Sequence, residues 1–499
     1  MQKKRWIQWL VIPLLFTGIF YPVFTSTYFF SDDIHQLWYN RMHPVYPASA
    51  AQGRWISGWI FDGLFGSVAS ISQLRYLHIL AWLSWVATAF VWRSVFSQWV
   101  RQLKLPEQYI LLSTAFIACC IPVAIYIGWA SCIQMSIGVM AGLLSGHVLF
   151  MEMGRKSRPS LAALSVCMVT GIISLSTYQN TFGLFLLPFL IAYIRQKKAT
   201  PGRMIWSALL VYGVVTLIYF GLFSLYISAR HIPASERARF STGIASKISF
   251  LFSDPLPMAF SVNLLYSSRS LFSQVFAPLM MAGWAVSLFV IYRKDRFVNT
   301  LLRLLLILFL LVLIYLPSMV AAENFASYRT LFAFSLAVFF LVLDSLFSLL
   351  QKEQARQWFM GFALLFLAAT GYYNFNVQFI HPLKQEYIAF KNFMDSAQAA
   401  TKSRIYFIRA NPYLFSDFFS TRPYKDEFGL PSTNKDWVPE PLVRQYLLES
   451  TGSRETAEKI KLFQFADSTE FNTAHIQLTP QDLLLDMNKL FPDHMAGKK

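Results

Sequence analysis

Apolar runs of about 20 residues recur from the N-terminus to about residue 380. At a rise of about 1.5 Å per residue, such a run crosses roughly 30 Å of hydrocarbon as a helix. A bilayer core offers no water, so each crossing segment must satisfy its own backbone polar groups. The feature therefore predicts an all-α polytopic membrane bundle of about 11 transmembrane helices. The expected spans are 7–27, 76–97, 108–127, 133–152, 161–178, 180–194, 204–227, 272–292, 301–320, 330–350 and 358–379. The first run follows the basic stretch MQKKRW, lacks a small-residue cleavage site and is longer than a signal core, so it reads as an uncleaved first span.

Charge supports the same reading. The chain carries a net charge of +17, but its basic residues lie between apolar runs rather than in one patch. That excludes nucleic acid as the natural partner and matches the positive-inside rule. Lys3, Lys4 and Arg5, then Arg101 and Lys104, then Arg155, Lys156 and Arg158 fall on one side. Arg195 to Arg203, Arg293 to Arg296, and Lys352 and Arg356 continue the alternation. That side, with the N-terminus, is expected to be cytoplasmic, and the C-terminus to lie outside. Cys119, Cys120, Cys132 and Cys167 fall in or beside apolar runs and read as small core residues.

The expected domains are 1–384, a membrane domain with outer loops 28–75, 228–271 and 321–329, and 385–499, a small soluble α/β domain outside the membrane. In the tail, RIYFIRA (404–410) and HIQLTP (475–480) read as strands. LTPQDLLLDMNKLF (478–491) reads as an amphipathic helix with Thr479 as N-cap and Pro480 at its first position. In the first loop, ASAAQGRWISGWIFDGLFG (48–66) places Trp55, Ile56, Trp59, Ile60, Leu64 and Phe65 at helical spacing. That stripe suits a helix in the membrane interface or one packed on the bundle.

The polar residues with chemical potential all lie in the outer segments. They are the acid pair Asp32–Asp33 with His35, then Arg54, then Tyr178 and Gln179 in the turn STYQN. Arg237 and Arg239 follow in ARHIPASERARF, and Glu323 and Arg329 in AAENFASYR. A carboxylate can take a proton from an attacking hydroxyl. An arginine can hold a phosphate through paired hydrogen bonds. Together they suit attack by a hydroxyl on a sugar whose leaving group is a lipid phosphate, since nucleotide sugars are not supplied outside the cytoplasm. The bland alternatives are a solvated acid pair at a helix end, arginines on lipid headgroups and surface histidines. A divalent metal on Asp32, Asp33 and His35 fits the residue types but lacks spaced partners. Walker, Rossmann and HExxH motifs are absent, and no internal repeat supports an inverted-repeat transporter. A transporter or flippase for lipid-linked sugars, and a membrane scaffold, remain the competing classes.

SDDIHQLWYN followed by AQGRWISGWIFDGLFG resembles the first loop of the bacterial serotype-converting O-antigen glucosyltransferases. STYQNTFGLFLLP and ENFASYRTLFAF resemble that family's Tyr-Gln turn and later arginine-bearing loop, so the likeness spans about residues 5–380. The resemblance implies a GT-C-type fold in the bacterial inner membrane, with the C-terminal domain periplasmic. It implies undecaprenyl-phosphate glucose as donor and a lipid-linked O-antigen repeat as acceptor, giving a modified lipopolysaccharide. It also implies a companion flippase and a donor synthase as partners in the membrane lipid. The resemblance carries the acid-pair role onto Asp32 and Asp33 and places Arg54 in the family's Gly-Arg element, but it does not settle Arg237 or Arg239. The chemistry of the residues makes Asp32 or Asp33 the general base, and Arg54, Arg237, Arg239 and Arg329 the phosphate candidates. His35, Trp55, Trp59, Tyr178, Gln179 and Glu323 shape the sugar and acceptor sites.

Overall fold

A computed structural model describes residues 2–40, 46–156, 158–196, 202–233, 235 and 243–496. Six helices among them are long and apolar enough to cross a membrane: Ile71–Leu103, Ala130–Arg155, Arg203–Ala229, Leu271–Ile291, Phe297–Ile314 and Phe332–Leu349. A seventh candidate is broken, with Gln108–Cys119 and Ile121–Gly128 bent by 45°. These helices mark a multi-pass membrane protein. Shorter apolar helices, Leu10–Phe20, Leu161–Thr177 and Gln179–Ile194, accompany them.

The break has a local cause. Cys120 is extended, and Pro122 follows in the first turn of the next helix, where its missing N–H costs nothing. Buried Asn263 takes up the freed groups, accepting from the Ile121 amide at 3.1 Å and donating to the Cys119 carbonyl at 2.9 Å. Inside the bundle, Trp85, Trp92 and Trp99 recur every seventh residue along one face and are all buried. On Arg203–Ala229 the most exposed large residues are apolar, Leu210, Leu217 and Leu225 among them, as a lipid-facing side requires.

The expected run 301–320 divides into Phe297–Ile314 and the short Leu316–Val320, with Pro317 opening the second piece. The expected run 358–379 lies on Glu353–Tyr372. That helix passes through a π-helical stretch, Tyr373–Ile380, directly into His381–Ser396. The expected domain boundary at 384/385 thus falls inside a continuous helical rod.

Beyond the rod lies a three-stranded parallel sheet of β1 (Arg404–Ile408), β2 (Lys461–Phe465) and β3 (Asp482–Asp486), with β1 in the centre. The expectation for 404–410 meets β1, whereas 475–480 forms no strand and 478–491 is not one helix. Asp482–Asp486 pairs with β1, and a helix starts only at Met487. Tertiary pairing overrides the local helical signal. The Leu483–Leu485 run enters the sheet, and Arg404 Nε holds Asp482 at 2.7 Å. The core of this module is shared, because Ile34, Leu37 and Phe65 of the first loop pack in one cluster with Phe390, Ile405, Leu442 and Leu485.

Candidate functional site

The acid pair opens the helix Ser31–Tyr39. Consecutive helical residues point about 100° apart, and here that separates the two acids. Asp33 is fully buried. Its carboxylate accepts from the Ala130 amide at 3.2 Å, the Ser131 amide at 2.8 Å and the Ser131 hydroxyl at 2.8 Å. Both oxygens are engaged in holding the turn that follows Trp129. Burial raises the proton affinity of Asp33, those three hydrogen bonds oppose the rise, and the neighbouring Asp32 charge adds to it. Asp32 is half-buried and faces a cavity. Burial raises its pKa too, while Arg329 and His35 pull it down, Asp426 pushes it up and a hydrogen bond from Trp437 lowers it. His35, one turn on, packs its ring 4.6 Å from Tyr39.

The Gly53–Arg54 element is built around Tyr219. Gly53 has φ +78°, and a Cβ there would meet the Tyr219 hydroxyl at 2.2 Å, so only glycine fits. The Tyr219 hydroxyl donates to the Gly53 carbonyl at 3.0 Å. Gln179 ties the same turn from the other side, donating to the Gln52 carbonyl at 2.7 Å and accepting from Arg54 Nε at 3.1 Å. The Arg54 guanidinium lies 4.3 Å from the centre of the Tyr178 ring. Trp55 stacks on Tyr219 and Tyr226 behind this wall.

Arg329 comes from the short turn Tyr328–Thr330 and lies 4.6 Å from the centre of the Trp129 ring. Its carboxylate partners come from the C-terminal module. Asp426 is 3.4 Å away and Glu427 3.9 Å. Glu427 also accepts from the Tyr328 amide at 2.7 Å and the Arg329 amide at 3.2 Å.

One cavity of about 340 Å³ joins these parts. Asp32, Arg54, Tyr178, Gln179, Glu323 and Arg329 all line it, although they are far apart in the chain. Its size sits at the small end of the roughly 300–1,000 Å³ found for ligand pockets, enough for a sugar and a phosphate. Asp33 does not line it, nor do His35, Trp55 and Trp59, and Trp59 is 59% exposed. Of the two acids, Asp33 holds the Ala130–Ser131 turn, and Asp32 is the one that faces the cavity. Arg237 and Arg239 lie outside the described residues. Among the described residues no group of three or more His, Cys, Asp or Glu side chains is placed to hold a metal ion.

The sequence did not point to several wall residues: Gln36, Trp129, Gln134 and Asn180 in the cavity, and Asp426 and Glu427 behind Arg329. Gln134 and Asn180 sit beside apolar runs, where a lone amide among hydrophobic neighbours was the available signal. Asp426 and Glu427 had none, since acids are ordinary in a soluble tail. Compared with protein-family models and with curated proteins, the chain matches none.

Proposed function

We propose that this chain is a membrane glycosyltransferase. It moves a glucosyl or related hexosyl unit from an undecaprenyl-phosphate sugar to a lipid-linked O-antigen repeat on the periplasmic face of the bacterial inner membrane. The bundle is GT-C-like with about eleven spans, a cytoplasmic N-terminus and the C-terminal module outside. The observation that carries the reading is the convergence of one carboxylate, Asp32, and two guanidiniums, Arg54 and Arg329, on a single sugar-sized cavity.

In this mechanism Asp32 takes the proton of the acceptor hydroxyl as its oxygen attacks the anomeric carbon. The bond from that carbon to the phosphate oxygen breaks, and the configuration inverts. Arg54 and Arg329 stabilise the charge that develops on the departing lipid phosphate. Tyr178 and Gln179 fix Arg54, and Asp33 fixes the turn that carries Trp129 under Arg329. A flippase would need polar lining across the whole bilayer. Here Asp344, at the other end of its span, is bound by Arg195 at 3.1 Å and Tyr109 at 3.0 Å instead of facing a path.

The test is mass spectrometry with linkage analysis of O-antigen from cells with and without the protein, supplied with donor synthase and flippase. The expected result is one extra hexose per repeat, lost in Asp32→Asn. An unaltered O-antigen alongside accumulated polyprenyl-phosphate hexose sinks the proposed acceptor, and donor stranded on the cytoplasmic face favours the flippase.

A further inference from the structure

Arg329 sits among more negative charge than one guanidinium balances. Asp426 and Glu427 touch it from the C-terminal module, and Asp32 faces it across the cavity. All three carboxylates compete with an anionic ligand for Arg329, and the most weakly held of them is the one an incoming anion displaces. The two tail acids differ in how they are held. Glu427 is fully buried and bound to two consecutive backbone amides of the Arg329 turn, so it cannot leave without opening that turn. Asp426 reaches Arg329 through one long contact of 3.4 Å and keeps about a quarter of its side chain exposed. Its second oxygen is buried without a hydrogen-bond partner. The loop carrying both is fixed at its ends. Tyr424 bonds to Phe428 across it at 3.0 Å, and Lys425 is paired with Asp254 of the membrane domain.

We propose that Tyr424–Phe428 is an acidic clasp on the site. Glu427 is a positioning residue for Arg329, and Asp426 is a placeholder charge that yields Arg329 to the phosphate of the incoming ligand. The C-terminal module is thereby a working part of the site. The identity of the ligand as a lipid phosphate rests on the glycosyltransferase reading; the clasp itself rests on the charges.

The experiment titrates the full chain in nanodiscs of neutral lipid with inorganic phosphate and with farnesyl phosphate, read by tryptophan fluorescence, because Trp129 lies under Arg329. Neutralising the two adjacent acids must act in opposite directions. Asp426→Asn tightens binding by about threefold to tenfold, by removing a competitor. Glu427→Gln weakens it by about tenfold, by loosening the turn. In an Arg329→Gln background the Asp426→Asn gain disappears. A gain confined to farnesyl phosphate identifies a lipid-borne phosphate, and an equal gain for both identifies the phosphate alone; either supports the clasp. Shifts in the same direction, no effect of Asp426→Asn, or no binding of either probe overturn it. If Glu427→Gln fails to fold, the Asp426→Asn result and its dependence on Arg329 still decide the matter. Sugar transfer by the wild-type chain combined with same-direction shifts removes the clasp and leaves the glycosyltransferase. Opposite shifts with no transfer in cells do the reverse.

Discussion

The two ends of the bundle use the same kinds of side chain and do different things with them. At one end Asp344 accepts from Tyr109 at 3.0 Å and Arg195 at 3.1 Å. Arg303 is buried there, donates to the Gln196 carbonyl at 2.8 Å and lies 4.0 Å from the centre of the Tyr292 ring. Arg303 and the Tyr292 hydroxyl, which donates to the Ile194 carbonyl at 2.7 Å, close the C-terminal end of Leu187–Ile194, where backbone carbonyls lack helical partners. At the other end Asp32, Arg54, Tyr178 and Arg329 also lie close together, yet they border an open cavity. Residue type alone does not separate a structural network from a site. What separates them is whether the polar groups are turned on one another or on a space.

The sharpest break of this comparison is Asp32→Asn. We expect sugar transfer to fall by about 10³-fold with thermal unfolding in detergent unmoved; retained activity would end the proposed base. Its neighbour should behave in the opposite way. Asp33→Ala leaves two amides and a hydroxyl without their acceptor, so stability should drop by about 3 kcal/mol, read as a lowered melting temperature. Asp344→Ala, at the closed end, should cost about 2 kcal/mol of stability and leave farnesyl phosphate binding unchanged. A loss of binding there would mean the two ends are coupled. The pH profile of kcat/KM sharpens the open end. Transfer should rise with pH as Asp32 deprotonates, with a limb above the ordinary carboxylate range because burial raises its pKa. Arg329→Gln removes a charge that lowers that pKa, so the limb should move further up, and a downward move would remove Asp32 as its source. Trp59→Ala should change stability by less than about 0.5 kcal/mol, since Trp59 faces outward.

Much of this was legible in the residues. Long apolar runs announced the bundle because a bilayer fixes helix length and composition together. Asp32, Arg54, Tyr178, Gln179, Glu323 and Arg329 stood out for the same reason, being polar groups at the ends of apolar runs. The split between Asp32 and Asp33 was not legible, because it depends on where the Ala130–Ser131 turn arrives. Asp426 and Glu427 were hidden by their setting in a charged tail. The misread 478–491 segment shows a third limit: Leu483–Leu485 suits a helix or a buried strand, and only the neighbouring β1 decides.

The shared core has a consequence in time. Leu37 and Tyr387 pack in one cluster, yet about 350 residues separate them in the order of synthesis. At roughly 5–20 residues per second, the first loop emerges ~20–70 s before the chain that covers it exists. During that interval Ile34, Leu37 and Phe65 have no partners from the C-terminal module, and Arg329 lacks Asp426 and Glu427. The site is thus closed only after the C-terminal module has been synthesised, and a nascent chain that stalls before it would carry its membrane helices without a closed site.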